Sequence, residues 1–169
     1  MTSPQPKDLG ASVRQRLMNR SREVGRPFAE LLQYYAMERF LYRLSASPRS
    51  RHFILKGALM FVVWKAPRSR ATMDIDLLGR TSNRVEDVVE AIREICAQVV
   101  EPDGLTFDPE SVAGARIDED AEYVGVRVRF WTAARAGLPE TALDPMEHRL
   151  KNLAPRASAP LEVRFPFAA

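Results

Sequence analysis

The amino-acid sequence predicts an α+β fold, in which a mixed β-sheet is flanked by helices. Two patterns of apolar residues support this prediction. In the first 45 residues, and again at residues 85–99, apolar side chains recur at three- and four-residue spacing, as they do along one side of an α-helix. Residues 123–131 instead alternate apolar and polar side chains, which is typical of a strand with one solvated side.

The N-terminal region is predicted to form a pair of helices. The first runs over residues 11–24 and ends at Gly25, because glycine frequently terminates helices. Pro27 suits the first turn of a second helix, where a backbone N–H would have no helical partner. That helix extends to Ser45, and Pro48 prevents its continuation.

The middle of the chain is predicted to alternate between strands and helices. An apolar run at residues 53–55 is followed by a helix over residues 57–65 and a strand over residues 73–78. Ser82 or Asn83 then caps a further helix. Three short strands follow it, at residues 105–107, 112–117 and 123–131.

Asp74 and Asp76 are the strongest candidates for functional residues. They are two residues apart in the strand predicted at residues 73–78, so both carboxylates project from the same side, while the apolar residues around them point into the core. A pair of carboxylates can bind Mg²⁺ and leave coordination positions free for substrate phosphates, as phosphoryl-transfer chemistry requires. For this motif alone, the alternative is two solvated aspartates at the end of a strand.

A second candidate motif, Lys56-Gly57-Ala58, lies between the predicted strand at residues 53–55 and the helix that follows it. Small residues at a helix N-terminus let a phosphate approach the free backbone N–H groups, where the helix dipole also favours negative charge. Residues 65–70 then form a basic loop. This motif therefore predicts a phosphate-binding segment upstream of the two aspartates.

The order of these motifs resembles the nucleotidyltransferase-fold superfamily and, within it, the AbiEii/AbiGii toxin family of bacterial toxin–antitoxin and phage-defence systems. The resemblance rests on Lys-Gly-small at residues 56–58, a helix, a basic loop and Arg-x-Thr-x-Asp-Ile-Asp-Leu at residues 70–77. It extends over residues 10–135. The flanking segments that agree with this family are residues 25–32, 38–44 and 93–96.

The resemblance implies a nucleotide site made from seven residues of this chain: Lys56, Gly57, Ala58, Arg70, Thr72, Asp74 and Asp76. In such enzymes the Gly-small pair contacts the nucleoside triphosphate, and the Asp-x-Asp pair holds the divalent ions, here Mg²⁺. Lys56, Arg70 and Thr72 are further candidates for contact with the phosphates or the nucleotide. Ala58 stands where the superfamily usually has Gly or Ser, so the small size is kept but a possible hydroxyl contact is lost.

By the same resemblance, the protein would transfer a nucleotide from an NTP to tRNA or another RNA, arrest growth, and have a cognate antitoxin as a partner. The alternative is a catalytically inactive, truncated remnant that still binds a nucleotide or an antitoxin.

The third carboxylate that the resemblance implies, on a strand next to the Asp-x-Asp strand, has no clear counterpart. Asp144 is a candidate, but prolines on both sides of its segment argue against a central strand. A lysine-containing motif expected further downstream also has no counterpart. We therefore expect a disordered tail at residues 1–9, a nucleotidyltransferase-like domain at residues 10–135, and an irregular, divergent and poorly ordered tail at residues 136–169. For that last part we favour truncation or a frameshift over a naturally short domain.

The composition predicts one domain in the cytoplasm. The chain of 169 residues, 46% of them hydrophobic, is long enough to bury a single core, and no apolar run approaches a membrane span. The N-terminus lacks the charged-then-apolar layout of an export signal. A single cysteine, Cys96, fits a reducing compartment and is expected in the core, while His52 and His148 have no neighbours at zinc-binding spacing. The net charge is +3, and basic residues that cluster near the proposed site would attract NTP or RNA.

Overall fold

A mixed sheet of six strands lies at the centre of the residues that the computed structural model describes, which are 8–60, 72–118, 124–134 and 158–166. The strands are β1 (Phe53–Lys56), β2 (Asp74–Gly79), β3 (Leu105–Phe107), β4 (Ala113–Asp118), β5 (Val124–Ala134) and β6 (Ser158–Pro166). Their order is β1-β2-β6-β5-β3, and β4 also pairs with β5. Strands β2 and β6 are parallel, and all other pairs are antiparallel. The α+β class with a mixed sheet is therefore confirmed.

Helices accompany the sheet on its apolar side. The N–H of Ala11 donates to the Asp8 carboxylate at 2.8 Å, which caps the first helix, and Gly25 closes that helix in a left-handed conformation. The predicted N-terminal pair of helices is confirmed, whereas the helix predicted at residues 57–65 lies largely outside the described residues. Within the described part of the chain, no helix is both long and apolar enough to cross a membrane. The described helices are α1 (Leu9–Val24), α2 (Phe28–Ala46) and α3 (Val85–Cys96), with 3-10 turns at Pro48–His52 and Pro109–Ser111.

The hydrophobic core combines side chains of α2 and α3 with side chains of the three central strands. Burial of each large apolar side chain stabilises the fold by about 1.5–3 kcal/mol. The rings of Phe40 in α2 and Phe130 in β5 pack with centroids 5.0 Å apart. Other fully buried members include Met37, Ile75, Leu77, Ile92, Val128 and Phe165.

Strand β6 corrects the expectation of an irregular and poorly ordered tail at residues 136–169. Residues 158–166 instead lie between β2 and β5, so the sheet extends beyond the predicted boundary at residue 135. Pro160 and Pro166 lie near the two ends of this segment, where proline is compatible with a strand. The rest of the predicted tail, Asp144 included, and residues 1–7 lie outside the described residues. The fully buried side chains that β6 adds to the core are Leu161, Val163 and Phe165.

A buried ion pair joins α2 to the start of β3. Arg43 Nη1 lies 2.6 Å from Asp103 Oδ2, and Arg43 Nη2 donates to Asp103 Oδ1 at 3.2 Å. The same carboxylate accepts from the N–H of Leu105, and the Asp103 carbonyl accepts from the hydroxyl of Tyr35 at 2.6 Å. The guanidinium also lies 4.3 Å from the centroid of the Phe107 ring. Both charges of the pair are therefore neutralised inside the protein.

Cys96 should be unreactive in the folded protein. Its side chain is buried at the end of α3, as predicted, and burial raises the pKa of the thiol to about 12. At pH 8 the native protein should therefore react very slowly with Ellman's reagent, and one thiol per chain should react rapidly in guanidinium chloride. Rapid labelling of the native protein would contradict the described burial.

Candidate active site

The two candidate aspartates lie in β2, on the side of the sheet that faces away from the core. Asp74 and Asp76 are half-buried, whereas Ile75 and Leu77 are fully buried. This alternation follows from the two-residue period of a strand. It agrees with the sequence prediction of one apolar side and one carboxylate-bearing side.

Gly57 lies directly against the carboxylate of Asp76. The antiparallel register of β1 and β2 pairs Lys56 with Asp76, and Gly57 follows with a φ of +74°, a left-handed conformation that favours glycine. A Cβ added to Gly57 would lie 2.1 Å from Asp76 Oδ2 and 2.9 Å from Asp76 Cγ. The Lys-Gly motif and the Asp-x-Asp motif therefore meet at Asp76.

Helix α2 holds the segment that leads into β2. Gln33 Nε2 donates a hydrogen bond to the carbonyl of Met73 at 3.2 Å, and the hydroxyl of Tyr34 accepts one from the N–H of Thr72 at 3.2 Å. The Thr72 hydroxyl in turn donates to the carbonyl of Asp74 at 3.3 Å. These bonds position the start of β2, so Thr72 supports the strand that carries the aspartates.

Glu162 places a third carboxylate beside the two aspartates. Strands β2 and β6 run parallel, and their register pairs Asp74 with Glu162. Because the neighbours of Glu162 in β6 are buried in the core, its side chain projects from the opposite side of the sheet, together with those of Asp74 and Asp76. Three acidic side chains from adjacent strands thus share one side of the sheet.

Three arginines on the same side contact these carboxylates. Glu162 accepts hydrogen bonds from Arg129 Nε at 2.8 Å and Arg164 Nε at 3.0 Å, and Arg127 Nε lies 2.9 Å from Glu162 Oε1. Arg164 also reaches β2, where its Nη2 lies 3.1 Å from Asp74 Oδ2. Arg164 therefore bridges the third carboxylate and the Asp-x-Asp pair.

Burial and neighbouring charges shift the pKa values of two of these acids in opposite directions. Partial burial raises the pKa of Asp76; the charge of Arg164 opposes this effect, and the charge of Asp74 adds to it. Burial also raises the pKa of Glu162, but hydrogen bonds from Arg129 and Arg164 outweigh it, so that this pKa lies below its usual value.

The donor atoms at this site suit a hard divalent cation. Asp74 and Asp76 present carboxylate oxygens on one side of β2, and Mg²⁺ is commonly held by one or two carboxylates together with substrate phosphates and water. Gly57, which lacks a side chain, leaves space at the Asp76 carboxylate. Among the described residues, no three His, Cys, Asp or Glu side chains converge closely enough to hold a metal by themselves. The described residues would therefore supply only part of the coordination shell of such an ion.

The remaining sequence candidates fall into two groups, and a further set of residues was not among the candidates. Lys56 is exposed and Ala58 is half-buried, on either side of Gly57. Arg70 lies outside the described residues. Glu162 and its arginines were missing from the predicted site: the alternation of apolar and charged residues at residues 161–165 is a short strand signal, but it does not show that this strand pairs with β2.

Comparison with known proteins identifies the family. The model of the nucleotidyl transferase AbiEii toxin family, of type IV toxin–antitoxin systems, matches residues 39–148, which is more than half of the chain. The matched segment includes Gly57, Asp74 and Asp76, whereas Glu162 lies beyond it. A search of curated proteins gave no match. The chain belongs to the AbiEii nucleotidyl transferase toxin family of type IV toxin–antitoxin systems.

Proposed function

We propose that this protein is a Mg²⁺-dependent nucleotidyltransferase toxin that transfers a nucleotide from an NTP to an RNA acceptor. One observation carries the proposal: Glu162 lies in register beside Asp74 on the adjacent parallel strand, so carboxylates of two neighbouring strands share one side of the sheet. The type IV family implies a cognate antitoxin as a further partner. Action in the cytoplasm, as part of phage defence, belongs to the same proposal.

Different residues around β2 would bind the metal ion and the phosphates of the substrate. Asp74 and Asp76 would hold Mg²⁺, and Glu162, which does not converge with them on one point, would position Arg164 beside Asp74. Gly57 would let a phosphate approach the backbone beside Asp76, and the exposed Lys56 would attract the triphosphate. When bound, Mg²⁺ supplies positive charge that stabilises the pyrophosphate leaving group. The acceptor hydroxyl would attack the α-phosphorus, and the bond to pyrophosphate would break.

Strand β5 offers a surface that suits an RNA acceptor. Arg129 and Trp131 are two residues apart, so both project from the same side of the sheet as Glu162. The side chain of Arg129 is 65% exposed, and Trp131 is 46% exposed. A cationic side chain next to an accessible aromatic ring is the combination by which single-stranded RNA is held, through its phosphates and by base stacking.

The contacts of the acids favour one alternative function. Glu162 is paired with three arginines, and Asp74 is paired with Arg164. If these pairs persist with substrate present, the protein would bind a nucleotide or an antitoxin without transferring the nucleotide.

The proposal is tested by incubating the purified protein with Mg²⁺, labelled NTPs and total bacterial RNA. We expect labelled RNA from the wild-type protein and none from the Asp74→Asn, Asp76→Asn double variant. Glu162→Gln should lower the rate by about 10- to 100-fold, the usual loss when a group that supports a metal site is removed. Glu94→Gln is the matched control, because Glu94 forms an ion pair with Arg49 on another part of the surface and should leave the rate unchanged.

The outcomes separate the two functions. An NTP with Mg²⁺ should raise the melting temperature of the wild-type protein, since a ligand that binds the native state stabilises it. A thermal shift without RNA labelling would support the non-catalytic alternative. Absence of both labelling and thermal shift would refute nucleotide binding, and an unchanged rate in Glu162→Gln would exclude Glu162 from the site.

A further inference from the structure

Arg164 occupies a central position among the three carboxylates. The register of β2 and β6 pairs it with Asp76, its Nη2 lies 3.1 Å from Asp74 Oδ2, and its Nε donates to Glu162 at 3.0 Å. Its side chain is 36% exposed, so the guanidinium can be reached from solvent. One cation of the protein thus contacts two of the acids and lies opposite the third.

A divalent ion at the two aspartates would have to share Asp74 with this guanidinium. The contact already uses one carboxylate oxygen of Asp74, and two positive charges at such short range repel each other. The positive charge of Arg164 therefore lowers the affinity of the aspartates for an ion that arrives alone.

A bound triphosphate would change the repulsion between Arg164 and the divalent ion. Guanidinium groups bind phosphate oxygens with two parallel hydrogen bonds, so phosphates near the aspartates would compete with Asp74 for Arg164. Release of Arg164 would not leave Glu162 unpaired, because Arg127 and Arg129 also contact it. If a divalent ion replaces Arg164 at Asp74, Arg164 can move from Asp74 to a phosphate. Each acid of this cluster then still has a cation beside it.

We infer that Arg164 couples the binding of the divalent ion to the binding of the triphosphate. Arg164 weakens binding of the divalent ion alone and strengthens joint binding of the ion and the triphosphate. The two ligands therefore bind cooperatively. This inference rests on the proposed function, since it concerns the same nucleotide site.

The test compares wild type with Arg164→Gln in two binding measurements. The first is the affinity for Mn²⁺ alone, followed by electron paramagnetic resonance of the free ion. The second is the affinity for fluorescent, non-hydrolysable analogues of the four NTPs, each with and without saturating Mn²⁺. We expect Arg164→Gln to bind Mn²⁺ alone about 10-fold more tightly, and the gain in nucleotide affinity on adding Mn²⁺ to fall by about 10-fold, which is a usual size for coupling between two sites.

Two further variants make the result specific. Arg49→Gln removes a cation whose described partner is Glu94 and which has no described contact with the three acids, so its Mn²⁺ affinity should stay within about twofold of wild type. Arg164→Met removes the charge and keeps the apolar stem, so it should reproduce the effects of Arg164→Gln and replaces it if that variant does not fold.

Each possible result has one interpretation. The role of Arg164 is refuted if its variants bind Mn²⁺ no more tightly than wild type, if their gain in nucleotide affinity on adding Mn²⁺ equals that of wild type, or if Arg49→Gln shows the same changes. Metal-dependent nucleotide binding by the wild type would still leave the proposed function intact. If the wild-type protein binds neither Mn²⁺ nor the nucleotide under any condition, the proposed function itself fails.

Discussion

Replacement of Gly57 by alanine is expected to lower nucleotide transfer by about 100-fold, the usual cost of displacing a functional group by about 1 Å. The new Cβ would lie 2.1 Å from Asp76 Oδ2, far inside van der Waals contact, so the carboxylate must move. Because the clashing atoms belong to the Asp76 side chain, the sheet itself can stay in place. The loss should therefore appear in activity and in Mn²⁺-dependent nucleotide binding.

Gly25→Ala is the matched control for Gly57→Ala. Gly25 also has a positive φ, +66°, but an added Cβ would meet no atom within 4 Å. Both substitutions should lower the free energy of unfolding by about 1–2 kcal/mol, the cost of a left-handed alanine. Only Gly57→Ala should impair transfer, as measured by RNA labelling at matched protein concentrations. Equal activity of the two variants would show that Asp76 does not need its described position.

Removal of the Arg43 charge should have the largest effect on stability. Arg43→Met is expected to lower the free energy of unfolding by about 3–5 kcal/mol, the usual cost of breaking a buried ion pair from one side. The side chains of Arg43 and Asp103 are only 7% and 5% exposed, so the remaining carboxylate would stay buried without its cation. Since domains of this size are stable by only about 5–15 kcal/mol, the variant should lose about one fifth or more of its free energy of unfolding.

Urea denaturation followed by circular dichroism measures this loss, and Arg20→Met provides the comparison. Arg20 forms an ion pair with Glu23 whose side chains are both 64% exposed, and such surface pairs contribute about 0–1 kcal/mol. A loss in Arg43→Met no larger than that in Arg20→Met would refute a structural role for the buried pair.

The elements that the sequence predicted correctly are those with a local signal. The spacing of apolar residues within each element predicts helix α2 and strand β2. The spacing of Asp74 and Asp76 equals the period of a strand, so it predicts that their carboxylates lie on the same side of β2. Gly57 belongs to a short motif at a predicted helix N-terminus that indicates phosphate binding, and the family resemblance assigns this motif to the same site as the aspartates. Each of these inferences needed only residues close together in the chain.

Strand β6 could not be predicted in the same way. Its alternation spans five residues, from Leu161 to Phe165, between prolines that also suit a linker. Its place in the sheet depends on pairing with β2, which lies far upstream, and no local pattern contains that register. The identity of Glu162 as the acid beside Asp74 therefore became visible only once the two strands were placed side by side.

The late position of β6 in the chain also has a consequence for synthesis. When a ribosome has translated as far as β5, the nascent chain already contains Asp74 and Asp76, but β2 and β5 have no strand between them. Strands in this state expose unpaired backbone groups and cannot form the finished sheet. If the proposed function holds, a translation product interrupted before residue 158 would therefore lack both the third acid and the strand that joins the two halves of the sheet. Under that proposal, transfer activity would require translation of the chain through β6.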